Sequence, residues 1–190
     1  IYLFWKAQRI LFSVIGTKAM ASVTSHNIAF LNQQTFGAVM GIAVISLWLS
    51  RHHFKKLVKS LFEGRSRSYD SDEPMKYGNA ILGLIAGGAF LLFFSWSAGM
   101  APWVAVAFFI FYYAFALTIA KLRAELGTPV HDFHATGPDQ IMAEALGTRT
   151  LGTRSLTIFS LYHFFNRTYR SHPMPHPAEG FKIASQTGMA

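Results

Sequence analysis

The residues best suited to chemistry lie late in the chain, where His131-Asp132-Phe133-His134 is followed by Gly137-Pro138-Asp139. Imidazole nitrogens and carboxylate oxygens are the ligands that zinc takes, and two imidazoles three apart share a helix face. His131, His134, Asp132 and Asp139 are therefore the candidate metal ligands. Two features weigh against a closed site. Pro129 and the Gly137-Pro138 pair break helix, and a metal site takes three or four ligands where only two imidazoles are close in sequence. The same side chains also suit a loop that hydrogen-bonds itself and caps a helix beginning at Pro138 and stopping at Gly147.

A direct repeat follows, Leu146-Gly147-Thr148-Arg149 and Leu151-Gly152-Thr153-Arg154. Exposed amides beside guanidinium groups favour anions, so Arg149 and Arg154, with Arg167 and Arg170 further on, are candidate ligands for a phosphate or an anionic lipid headgroup. The repeat matches no Gly-Lys-Ser/Thr phosphate loop, and two turns joining helices explain it as well. Arg167 and Arg170 have a structural alternative, ion pairs to Asp132, Asp139 or Glu144 that lock the segment Asn166 to His176 onto the earlier loop. Pro173 and Pro175 predict an extended backbone that keeps His172 and His176 apart.

The elements that must position these groups are apolar. From Tyr77 to Ala120 the chain has no Asp, Glu, Lys, Arg or His. Roughly 20 apolar residues cross about 30 Å of hydrocarbon, so this stretch predicts two spans, broken at Ser95, Ser97, Gly99 and Pro102. An earlier uncharged stretch, 28–50, predicts a third span with Trp48 at the headgroup level. Its polar run, Asn32, Gln33 and Gln34 within it, fits an interface or a transport path inside a bundle. No Asp, Glu, Lys or Arg falls within the expected spans. The fold class is thus all-α, a polytopic transmembrane helical bundle fragment with interfacial helices and a loop-rich segment. It divides into 1–27, an amphipathic or partial membrane helix; 28–50, a span; 51–78, a basic loop with an interfacial helix; 79–120, a helical hairpin; and 121–190, a segment of short helices in which Ser155 to Phe165 is too short to span.

Charge sets the orientation. The formal net charge is +8, with 17 Lys and Arg against 9 Asp and Glu, and the cations gather at 51–76 and after 121, while the turn from Ser97 to Pro102 has none. Basic short loops stay in the cytoplasm, which predicts 51–78 and 121–190 on the cytoplasmic side and the hairpin tip outside. The partners expected are the lipid bilayer, anionic lipid headgroups and further membrane subunits; nucleic acid is not among them, because no binding module accompanies the charge. Cys is absent, so disulfides and thiolate metal sites are excluded, and no cofactor is expected. The chain opens on Ile1 without a signal-peptide pattern, which suggests a piece of a longer protein.

The stretch from Arg123 to Phe181, with His131-Asp132-Phe133-His134, Gly137-Pro138-Asp139, the Leu-Gly-Thr-Arg element and Asn166 through His176, resembles a family of large bacterial multi-span membrane proteins of unknown function. The resemblance implies a multi-helix bundle in a bacterial inner membrane, distant kinship with permeases and no catalytic residue. Three functions stay open: a permease-like solute transporter, with Gly83, Gly87 and Gly88 letting helices approach and Asn32, Gln33 and Gln34 lining the path; a non-catalytic subunit of a larger membrane complex; and a membrane enzyme using His131 and His134. The permease reading leads and an enzyme is the less favoured.

Overall fold

The computed structural model describes residues 2–15, 31–52, 55, 77–127, 137–166, 169 and 172–188. Among these there are seven helices and no strand: α1 (Tyr2–Ile15), α2 (Leu31–Leu49), α3 (Tyr77–Ser97), α4 (Pro102–Leu126), α5 (Pro138–Leu146), α6 (Thr148–Asn166) and α7 (Pro175–Thr187). The all-helical class expected from the sequence is the class observed. Two helices, α3 and α4, are long and apolar enough to cross a membrane by length and composition. The apolar part of α2, Gln33–Leu49, is shorter than that, so α2 does not stand beside them as a third candidate span among the described residues.

The turn between α3 and α4 forms where the sequence breaks. Gly99 takes φ 98°, a region that side chains with a Cβ rarely enter, and the Met100 amide bonds back to the Ser95 carbonyl at 3.0 Å. Pro102 then opens α4 in the first turn, where its missing N–H costs nothing. At the other end Gly127, with φ 63°, closes α4 through an amide bond to the Arg123 carbonyl.

α4 is the pillar of the bundle: α2, α3, α5, α6 and α7 all pack against it. The reason is its residue order. Val104, Ala105, Phe108, Phe109, Phe115, Ala116, Ile119 and Ala120 are all buried, large rings next to small residues, so a neighbouring helix can interdigitate with it. Phe108 touches the rings of Phe159, Tyr162 and Phe165 on α6 at 5.5, 5.4 and 6.3 Å between centroids. Phe115 meets Phe36 of α2 at 5.8 Å, and the Thr118 hydroxyl donates to the Val39 carbonyl across the same seam at 3.1 Å. α3 behaves otherwise, for 6% of its apolar window is buried against 44% for α4. Its aromatic residues Phe90, Phe93 and Phe94 are exposed.

The stretch after Lys121 departs from expectation. Rather than staying at the C-terminal end of α4, the pair α5–α6 doubles back along it. Leu151 and Ser155 sit at the α3–α4 turn, where the Ser155 hydroxyl accepts from the Ala101 amide at 3.4 Å and Arg154 lies 3.6 Å from where a Cβ on Gly99 would stand. From there α6 runs down α4 past Phe108. Its kink at Gly152, φ 76°, explains why the repeat reads as turns, and the buried face Leu151, Ser155, Ile158, Phe159 and Tyr162 explains the docking. Beyond Pro173 the backbone also differs: Pro175 starts α7 instead of extending the chain, since proline suits a helix's first turn. A bidentate pair from Arg123 to Glu179, at 2.6 and 2.7 Å, fastens α7 to the end of α4.

Replacing Phe108 by Ala removes a fully buried ring from the α4–α6 seam and should cost about 3–5 kcal/mol of stability. The exposed Phe93→Ala should change it by no more than about 0.5 kcal/mol. Denaturation in detergent measures both; equal losses in the two variants would mean that α6 does not dock where described.

Candidate functional site

Three polar side chains meet in the seam where α5 and α6 close against α4. Asp139 stands in the first turn of α5, which begins at Pro138 with Gly137 as its N-cap. The Asn166 amide, at the end of α6, donates to Asp139 Oδ1, and the Tyr169 hydroxyl donates to Asn166 Oδ1 at 3.0 Å. Exposure is 9% for Asp139, 1% for Asn166 and 0% for Tyr169, so these bonds replace water almost completely. Gly137 makes the approach possible. A Cβ there would lie 2.5 Å from Asp139 Oδ1 and 2.8 Å from Asn166 Nδ2, closer than side chains tolerate.

The node sits well inside the bundle. The Tyr169 ring stacks on Phe115 at 5.4 Å and leans on Tyr112 at 5.9 Å, and Phe115 lies about 20 Å along α4 from Pro102 at about 1.5 Å per residue. Burial first, then the neighbouring Tyr112 and Asp139, push the Tyr169 phenol far above the ordinary tyrosine range. The second carboxylate oxygen of Asp139 faces outward, 3.6 Å from Nδ1 of the half-exposed His163. Both border an open pocket of about 360 Å³ whose other walls are Gln140, Ala143, Leu156, Phe159 and Ser160. One turn further along α5, Glu144 accepts a 2.6 Å bond from the Gln33 amide of α2. A buried Ser95–Tyr162 bond of 2.8 Å ties α3 to α6.

The sequence-derived candidates fall in different places. Asp139 is in the node; His131, Asp132 and His134 lie outside the described residues, among which no group of three potential ligands could hold a metal. Arg149 and Arg154 are exposed, the second at the α3–α4 turn, beside a pocket of about 510 Å³; Arg167 and Arg170 lie outside the described residues. Gln33 reaches Glu144, Gln34 accepts from Gln8 at 3.4 Å, and the Asn32 side chain lies outside the described part. Asn166 ties the end of α6 to Asp139 at the start of α5; the arginines of the expected lock lie outside the described residues. Asn166 and His163 were not legible in the sequence as the neighbours of Asp139, from which they stand 27 and 24 residues away.

Because the folded Tyr169 holds its proton after an unfolded tyrosine has lost it, at about pH 10, stability should be undiminished below that pH and fall as pH rises above it. Tyr169→Phe should make this alkaline slope shallower while costing about 1–3 kcal/mol at neutral pH for the Asn166 oxygen left without a donor. Chemical denaturation from pH 7 to 11 separates the two effects, and an unchanged slope in the variant would contradict the placement of Tyr169.

No curated protein and no solved structure matches the chain. The family model described as a family of unknown function, DUF6785, matches residues 1–190. Its match takes in the loop acid, the Asn166 partner and all the helices that enclose them, and the chain therefore belongs to that family.

Proposed function

We propose that the chain is part of an integral membrane protein of permease-like build, in which α3 and α4 cross the bilayer and α5–α6 re-enter it beside α4 to carry a polar solute site. The observation that supports this reading is the position of Asp139. Ionisable groups at membrane depth are costly, face the bundle interior and mark substrate or ion pathways, and Asp139, joined through Asn166 to the Tyr169 that stacks on Phe115 of α4, borders an open pocket. Glu144 and Gln33 extend the polar line toward α2. A helix pair that doubles back inside the hydrocarbon is tolerated where it is buried in protein or lines a cavity, and the α6 face toward α4 is buried.

In this arrangement the two ends of α4 lie on opposite sides of the membrane. Arg123 and Lys121, at its C-terminal end, take the cytoplasmic side by the distribution of basic residues, which puts the α3–α4 turn and Arg154 at the outer side. A second reading, an accessory subunit of a larger assembly, draws support from the exposed apolar flank of α3, which lipid or further helices would cover.

Cysteine scanning distinguishes a wet pocket from a dry bundle, and these 190 residues contain no cysteine of their own. In the full-length protein in proteoliposomes, with any cysteine elsewhere removed, Gln140→Cys and Ser160→Cys should react with a charged maleimide at least tenfold faster than Leu84→Cys on the exposed side of α3. Equal rates at all three would point to a water-soluble globule, and silence at all three to a non-transporting core.

A further inference from the structure

The pocket beside Asp139 has a definite charge character. We infer that it binds the positively charged end of a small solute, a primary ammonium on a short apolar skeleton, with the Asp139 carboxylate as its counter-ion. This rests on the permease reading and goes further by naming the ligand class.

The two carboxylate oxygens have different neighbours among the described residues. Oδ1 accepts from Asn166, whereas Oδ2 borders the cavity, and the sole basic group of the described residues within ion-pair distance of it is His163, at 3.6 Å and 45% exposed. Burying a carboxylate costs desolvation free energy unless the group is hydrogen-bonded and paired. An ammonium ion in the cavity would offset that cost. The wall chemistry agrees. The Ser160 hydroxyl spends its proton on the Leu156 carbonyl at 3.2 Å, so toward the cavity it offers lone pairs, and the Gln140 amide oxygen can accept as well. Phe159 and Leu156 supply an apolar wall, with a ring face that also attracts cations.

Anions are disfavoured at the same place. Among the described residues, the lining contains no Lys or Arg. Around it, the described charged groups of the packed elements are engaged elsewhere or distant: Glu144 of α5 with Gln33, Arg123 of α4 with Glu179 of α7, Lys121 with Glu125, and Arg154 of α6 near Gly99. A volume of about 360 Å³ is at the small end of ligand pockets and suits a skeleton of a few carbons.

The test uses the full-length protein in nanodiscs and calorimetric titration with n-butylammonium and its isosteric opposite, butyrate. Butylammonium should bind saturably, one per chain and at least tenfold more tightly than butyrate. Asp139→Asn should weaken it at least tenfold. His163→Arg, which alters a half-exposed position and leaves Asn166 in place, should weaken it by a similar factor by putting a permanent cation against Oδ2, while His163→Gln should retain it. Absence of saturable butylammonium binding, equal affinity for butyrate, or unchanged affinity in His163→Arg would each overturn the inference. If maleimide still reaches Gln140→Cys and Ser160→Cys in that case, the pocket stands and only its ligand class is wrong; if it does not, the permease reading has failed first.

Discussion

The hydrogen bond from Asn166 to Asp139 is the constraint on which the arrangement of α5, α6 and the segment after them depends. A carboxylate taken out of water destabilises a fold unless it is hydrogen-bonded, and the partners must arrive together because a half-satisfied group costs more than none. Here Asn166 uses both ends of its amide. Its nitrogen donates to Asp139 and its oxygen accepts from Tyr169, so one side chain fixes the start of α5, the end of α6 and the crossing of the chain toward α7. Gly137 is the geometric condition for this, since a Cβ there would crowd both Asp139 Oδ1 and Asn166 Nδ2.

Around that node the bundle obeys ordinary packing. α4 offers rings between small residues, and its neighbours insert rings of their own, Phe159 and Tyr162 from α6 and Phe36 from α2. Dispersion and ring geometry then decide which faces meet. Polar links such as Thr118 to Val39 and Ser95 to Tyr162 add direction to the packing without charge. Among the described residues, the side of α3 bearing Phe90 and Phe93 is uncovered.

Much of this was legible from residue order, for identifiable reasons. The α3–α4 hairpin could be read because charge is absent from Tyr77 to Ala120 and Gly99 and Pro102 break the run; α5 could be read because Pro138 and Gly147 bracket it. Helix identity is a local matter. What could not be read was long-range. Nothing near Asp139 in sequence says that Asn166 is a partner, because charge is visible in a sequence while an amide's reach is not. The docking of α6 along α4 was hidden for a related reason: its 19 residues are interrupted by Gly152 and by polar Thr and Arg, so the buried stripe of Leu151, Ile158, Phe159 and Tyr162 never forms an apolar run. Pro175 misled because proline restricts both extended chain and helix starts, and only tertiary context chooses.

The proposed membrane reading requires α6 to lie beside α4 at the depth of the hydrocarbon and not flat at the surface. A nitroxide on Leu161, an exposed position of α6, read by power saturation with oxygen and a nickel chelate in bilayers of the full-length protein, measures that depth directly. The account predicts a label within about 10 Å of the midplane of a hydrocarbon layer about 30 Å thick, favouring oxygen. A label at the headgroups, more accessible to nickel than to oxygen, would contradict it.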